Sequence, residues 1–121
     1  MPKPPRIDSL KELRLRLRTF AAERDWDQFH TAKNLAIALA VEAGELLEHF
    51  QWLADRDIEK LSKKRRAAIE QEIADVLLYL VRLSDKLEID LFAAAKNKMA
   101  LNAKKYPVEK AKGNSKKYTD L

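Results

Sequence analysis

The chain has 121 residues, enough for one domain and too few for two comfortable ones. Charged residues make up 36% and the AVILMFWYC set 46%, so it is not a disordered chain, and no apolar run reaches the roughly 18 residues of a membrane-spanning helix. Cysteine is absent and the only glycines are Gly44 and Gly113, which excludes disulfide scaffolds, cysteine-zinc sites, thiol catalysis, GxGxxG loops and Walker loops.

Residues 1–6 read as a flexible N-terminus with no apolar core of a signal peptide. Arg14, Arg16 and Arg18 resemble a transit peptide only faintly, since transit peptides are poor in acids and Asp8 and Glu12 stand just before them, so the cytosol is expected. Ser9 and Glu12 have the S-x-x-E spacing of a capping box. Leu10, Leu13, Leu17 and Phe20 follow at helical spacing and predict a first helix that stops near Asp25. A second helix is expected over about 31–53 and a third over about 64–87, with residues 35–41 and 76–81 apolar on every face. A fourth fits about 90–105 and must end before Pro107. Residues 107–121 read as an irregular basic tail. Helices that are apolar all round need neighbours on all sides. The expectation is an all-α, single-domain chain: a four-helix bundle-like subunit whose core is completed by oligomerisation.

The net charge of +5 is unevenly spread. Eight lysines from Lys96 to Lys117 face one acid, Glu109, which gives that stretch +7 and leaves −2 on the rest. Such a segment attracts phosphate or nucleic acid, or is simply a solvated helix end.

Four acids stand where acids are unexpected. Glu42 and Glu45, and Glu72 and Asp75, are i, i+3 pairs beside the apolar stretches of the second and third helices. That spacing puts both carboxylates of a pair on one helix face. No Lys or Arg lies between Lys33 and Arg56, so the first pair has no local cation. Isolated acid pairs are common on solvated helices, but two pairs on two apolar helices are not. If those helices pack together, the carboxylates converge and repel unless they share a hard cation such as Mg²⁺ or Mn²⁺. Gly44, between the acids, costs its helix about 1 kcal/mol and is explained by close approach of a helix or ligand. A di-iron bundle would need Glu-x-x-His, and Leu46 stands three residues before His49. Carboxylates alone suit Mg²⁺, which accepts substrate phosphates and points to nucleotide chemistry.

Together with the segments 22–30, 50–52, 72–80, 98–99, 106–108 and 117–121, this acid pattern resembles the MazG-like all-α nucleoside triphosphate pyrophosphatases, and among them the dCTP pyrophosphatase branch. The resemblance covers the chain from about Ile7 onward. It implies hydrolysis of a nucleoside triphosphate, in particular dCTP and its 5-modified analogues, to the monophosphate and pyrophosphate. It makes Glu42, Glu45, Glu72 and Asp75 catalytic residues and ligands of Mg²⁺, with Mn²⁺ as a substitute. One of these acids, or Glu48 one turn on, would orient the attacking water. Trp26, His30 and Trp52 would line the base pocket, and Tyr79, Lys98, Asn102 and Tyr106 would contact sugar or phosphates. A cytoplasmic homotetramer is implied. The competing reading is a non-enzymatic helical module binding nucleic acid through its basic C-terminal segment. It leaves the four acids unexplained, so nucleic acid is not the expected partner.

Overall fold

The computed structural model describes residues 9–121; the expected flexible stretch at 1–6 lies outside them. The described residues form six α-helices and two 3-10 turns, with no strand among them, so the chain is all-α. Its contacts divide into two compact units, one ending at Glu88 and the other spanning Ile89–Leu121.

In the first unit, α1 is Leu10–Glu23. Ser9 caps it as expected, its hydroxyl accepting the Glu12 N–H at 3.1 Å. Its far end is a Schellman motif closed by Asp25, whose φ of 53° is the left-handed conformation that an aspartate tolerates. There the Trp26 N–H donates to Ala21 O at 2.9 Å and the Asp25 N–H to Ala22 O at 3.1 Å. The motif turns Trp26 back onto Phe20, with ring centroids 5.7 Å apart and edge to face. A 3-10 turn, Asp27–Phe29, leads to α2, Ala32–Glu48, which is capped by Thr31 through the Asn34 N–H.

The second helix stops short of the expected residue 53. Beyond Glu48 the backbone bonds tighten to i, i+3, as in Phe50 N–H to Leu47 O at 2.9 Å. Arg65 donates to the freed His49 carbonyl at 3.0 Å, which satisfies one group of the helix end. A one-turn helix, α3, Asp55–Ile58, occupies the charged loop. Ser62 then caps α4, Lys63–Lys86, a rod of 24 residues and about 36 Å.

The long helix α4 packs against both α2 and α1. The buried apolar side chains of the described residues are Ala21 from α1, Leu35 from α2, and Ile69 and Val81 from α4. Leu35, 1% exposed, is the large residue at the centre. Leu35→Ala is expected to cost about 2–5 kcal/mol in urea unfolding, since it truncates the largest fully buried side chain. A loss below about 1 kcal/mol would mean that Leu35 is not central to the core.

In the second unit, α5 is Leu91–Lys105, capped by Asp90 and ended before Pro107 as the sequence requires. The segment after Pro107 is less irregular than expected. It holds α6, Val108–Ala111, and a 3-10 turn, Tyr118–Asp120. The Tyr118 ring meets Tyr106 edge to face at 6.0 Å and has the Lys105 ammonium 4.8 Å from its centroid.

Candidate active site

Glu42 and Glu45 lie one turn apart on α2, and Glu72 lies on the facing helix α4. One carboxylate oxygen from each falls within 4.8 Å of the others. Glu42 Oε2 and Glu72 Oε2 are buried and receive no hydrogen bond. Among the described residues, no Lys or Arg forms an ion pair with any of the three. Buried carboxylate oxygens without donors are costly, so this arrangement fits a bound hard cation.

The same crowding shows in protonation. The Glu42 carboxyl is pushed up to about 7, first by loss of water, then by bonds its protonated form makes to Glu72 and Glu45, and last by the charges of Glu45 and Asp75. Asp75 stands outside the three-oxygen cluster, but its charge reaches Glu42. Gly44 is not explained within the chain, where a Cβ at that position would meet no atom within 4 Å.

Asp75 lines a neighbouring cavity of about 220 Å³ together with Trp26, His30, Tyr79 and Arg82. Local folding explains these positions. The Schellman motif delivers Trp26, the 3-10 turn delivers His30, and Asp75, Tyr79 and Arg82 follow one another on one face of α4. The Trp26 and His30 rings are 6.2 Å apart. A half-exposed indole beside polar groups, next to a carboxylate cluster, can accept a flat base while the acids face a phosphate-bound cation.

The MazG-like family model matches residues 37–121, which include all four acids. The chain belongs to the MazG-like family. It is 45% identical over 115 residues to dCTP pyrophosphatase 1 of Rattus norvegicus and 44% identical to that of Homo sapiens; each alignment covers 93% of this chain and 68% of the relative. Among solved structures it is similar to a pyrophosphatase from Archaeoglobus fulgidus, with a TM-score of 0.77, 40% identity, and coverage of 88% of this chain and 99% of that one.

The remaining candidates of this MazG-like chain belong to other elements. Trp52 is 87% exposed on the turns after α2 and does not line the cavity that Trp26 borders. Glu48 closes α2 and is exposed. Lys98 and Asn102 lie on α5 with Tyr106 at its C-cap, so the i, i+4, i+8 stripe is one face of the second unit. Arg82 was missed by sequence reasoning although a signal was available. It is a cation following the apolar run 76–81, seven residues after Asp75 and thus on the same face.

Proposed function

We propose that this MazG-like chain is a nucleoside triphosphate pyrophosphohydrolase that cleaves dCTP and its 5-modified analogues to dCMP and pyrophosphate. The observation that carries the reading is the cluster of Glu42, Glu45 and Glu72, two of whose oxygens are buried without donors, beside a cavity walled by Trp26. Similarity to the two dCTP pyrophosphatases and to the archaeal pyrophosphatase supports it. These three acids, with Asp75, would hold Mg²⁺, or Mn²⁺ in its place. The cation supplies charge neutralisation and Lewis acidity at the triphosphate. Trp26 offers a face for base stacking, and His30 and Tyr79 offer polar atoms in the same cavity. Water adds to the α-phosphorus, the bond from that phosphorus to the α–β bridging oxygen breaks, and pyrophosphate leaves. A carboxylate of the acid set takes the proton of the water. By the resemblance, Trp52 serves the base, and Lys98, Asn102 and Tyr106 serve sugar or phosphates.

We further propose a homotetramer acting on the cytosolic nucleotide pool. Ile37 and Val41 on α2 and Ile73 on α4 are each more than half exposed in the single chain, beside the acid-bearing turns. No helix among the described residues is long and apolar enough to cross a membrane.

Hydrolysis of a nucleotide panel in ¹⁸O-labelled water with Mg²⁺ tests the reaction. Label in the monophosphate is expected. Label in pyrophosphate rejects attack at the α-phosphorus, and orthophosphate with a diphosphate rejects the reaction class.

Trp26→Ala is expected to raise KM for dCTP by about tenfold or more, with kcat little changed, because stacking is shared by bound substrate and transition state. Steady-state kinetics on the folded variant decide this, and an unchanged KM would remove Trp26 from the base site.

A further inference from the structure

Arg82 is 6% exposed, an unusual depth for a guanidinium. Its fork is fully engaged. One terminal nitrogen donates to Asp27 Oδ1 at 2.6 Å, the other lies 3.5 Å from Asp85 Oδ2, and Nε donates to Nδ1 of His30 at 3.2 Å. Both carboxylates are anchored from behind. Lys86 Nζ holds Asp27 at 2.6 Å, and Arg18 grips Asp85 through two bonds of 2.7 and 2.5 Å. A planar guanidinium held on two sides cannot turn away, so its Nε–H is aimed at His30.

The chemistry of this pair leaves one protonation pattern. A guanidinium is always charged and has no acceptor. The ring nitrogen that faces it must carry a lone pair. Nδ1 of His30 is therefore unprotonated, the ring is neutral, and its single proton sits on Nε2. Burial and the positive charge of Arg82 also hold His30 below its ordinary pKa, against the smaller pull of Asp27. Among the described residues none hydrogen-bonds Nε2, and the ring lines the cavity that holds Trp26 and Tyr79.

We propose that Arg82 is a positioning residue that locks His30 as a pure hydrogen-bond donor, so that the cavity selects a base presenting an acceptor to it. This rests on the pyrophosphohydrolase reading. A free imidazole exchanges tautomers and can meet either a donor or an acceptor. A locked one opposes an N–H with its own N–H, which leaves two polar groups unsatisfied. Cytosine carries an unprotonated N3, whereas uracil and thymine carry N3–H. Where Nε2–H meets the pyrimidine ring at N3, the lock thus favours cytosine over uracil and thymine.

Nitrogen-15 NMR of the unmutated protein, with labelled histidine rings and no substrate, reads the tautomer directly; His49→Asn assigns the other ring. The expected result near pH 7.5 is a protonated Nε2 and an unprotonated Nδ1 at His30. A protonated Nδ1 overturns the proposal. Arg82→Met keeps the stem and removes every donor. It is expected to return His30 to a tautomer mixture and to lower the kcat/KM preference for dCTP over dUTP by about tenfold. In a His30→Phe background, where the ring has no polar atom for Arg82 to fix, Arg82→Met should leave the preference unchanged. Equal losses in both backgrounds overturn the proposal, because Arg82 would then act elsewhere. Should Arg82→Met not fold, Arg82→Gln keeps donors for Asp27 while its carbonyl can accept from Nδ1–H, so the tautomer is no longer fixed. The same loss of preference is expected there, and an unchanged preference overturns the lock. An unmutated protein that hydrolyses no nucleoside triphosphate overturns both readings, whereas an active one with protonated Nδ1 overturns the lock alone.

Discussion

Glu42→Gln is expected to lower kcat/KM by more than about a hundredfold while leaving the metal-free protein as stable or more stable. Changes to groups that merely support metal ligands already cost about 10–100-fold in affinity or activity, so loss of a ligand itself should exceed that range. The stability half follows from Glu42's own titration. Its folded pKa is raised from 4.5 to about 7, so the folded chain holds that proton more tightly than the unfolded one. The contribution is fully present below about 4.5 and is lost as pH rises through about 7. Glutamine mimics the protonated form at every pH. The melting temperatures of the two proteins in EDTA should therefore coincide near pH 4.5 and separate as pH rises, with the variant higher at pH 8. Other groups titrate as well. His30 is held low and acts with the opposite sign below about 6.5, while Asp27 and Asp85 lose their contribution only below about 3.8. They are common to both proteins, so the difference reports Glu42 together with the acids that face it. A variant that melts well below the unmutated protein at pH 8 would make the carboxylate structural. A variant that stays active would place the cation elsewhere.

Removal of divalent cations is expected to abolish hydrolysis, and Mg²⁺ or Mn²⁺ to restore it. Three carboxylates with two donorless oxygens are poorly arranged without a cation. A ligand that binds only the folded state stabilises it by about 2.7 kcal/mol at a hundredfold excess over its Kd. Thermal melting should therefore rise with Mg²⁺ in the unmutated protein, and much less in Glu42→Gln or Glu72→Gln. The rise should be small at pH 5, where protons compete for Glu42, and larger at pH 8. Full activity in EDTA would sink the cation assignment, and an equal Mg²⁺ shift in the variants would move the site away from these acids.

Much of the frame is local, and local features are legible in a sequence. Ser9, Thr31, Ser62 and Asp90 each stand at a helix start and each accepts a backbone N–H, because capping needs only a short oxygen-bearing side chain at the right offset. The paired spacing of Glu42 with Glu45 and of Glu72 with Asp75 states which acids share a helix face, since 3.6 residues per turn is a property of the chain alone. What spacing could not state is how two faces meet. Packing of α2 on α4 brings Glu42, Glu45 and Glu72 within 4.8 Å and leaves Asp75 to the adjoining cavity. The end of α2 near His49 was equally out of reach, because its carbonyl is taken by Arg65 from sixteen residues away. Arg82 shows the same limit. On paper it is one arginine among 24 basic residues. Its meaning comes from Asp27, His30 and Asp85, which approach it from a turn 52 to 55 residues earlier and from its own helix. Residue type and helical period therefore determine which chemistries this chain can offer. Tertiary packing alone decides which charges lose their water and which partners they then meet, because burial and distance are properties of the assembled fold.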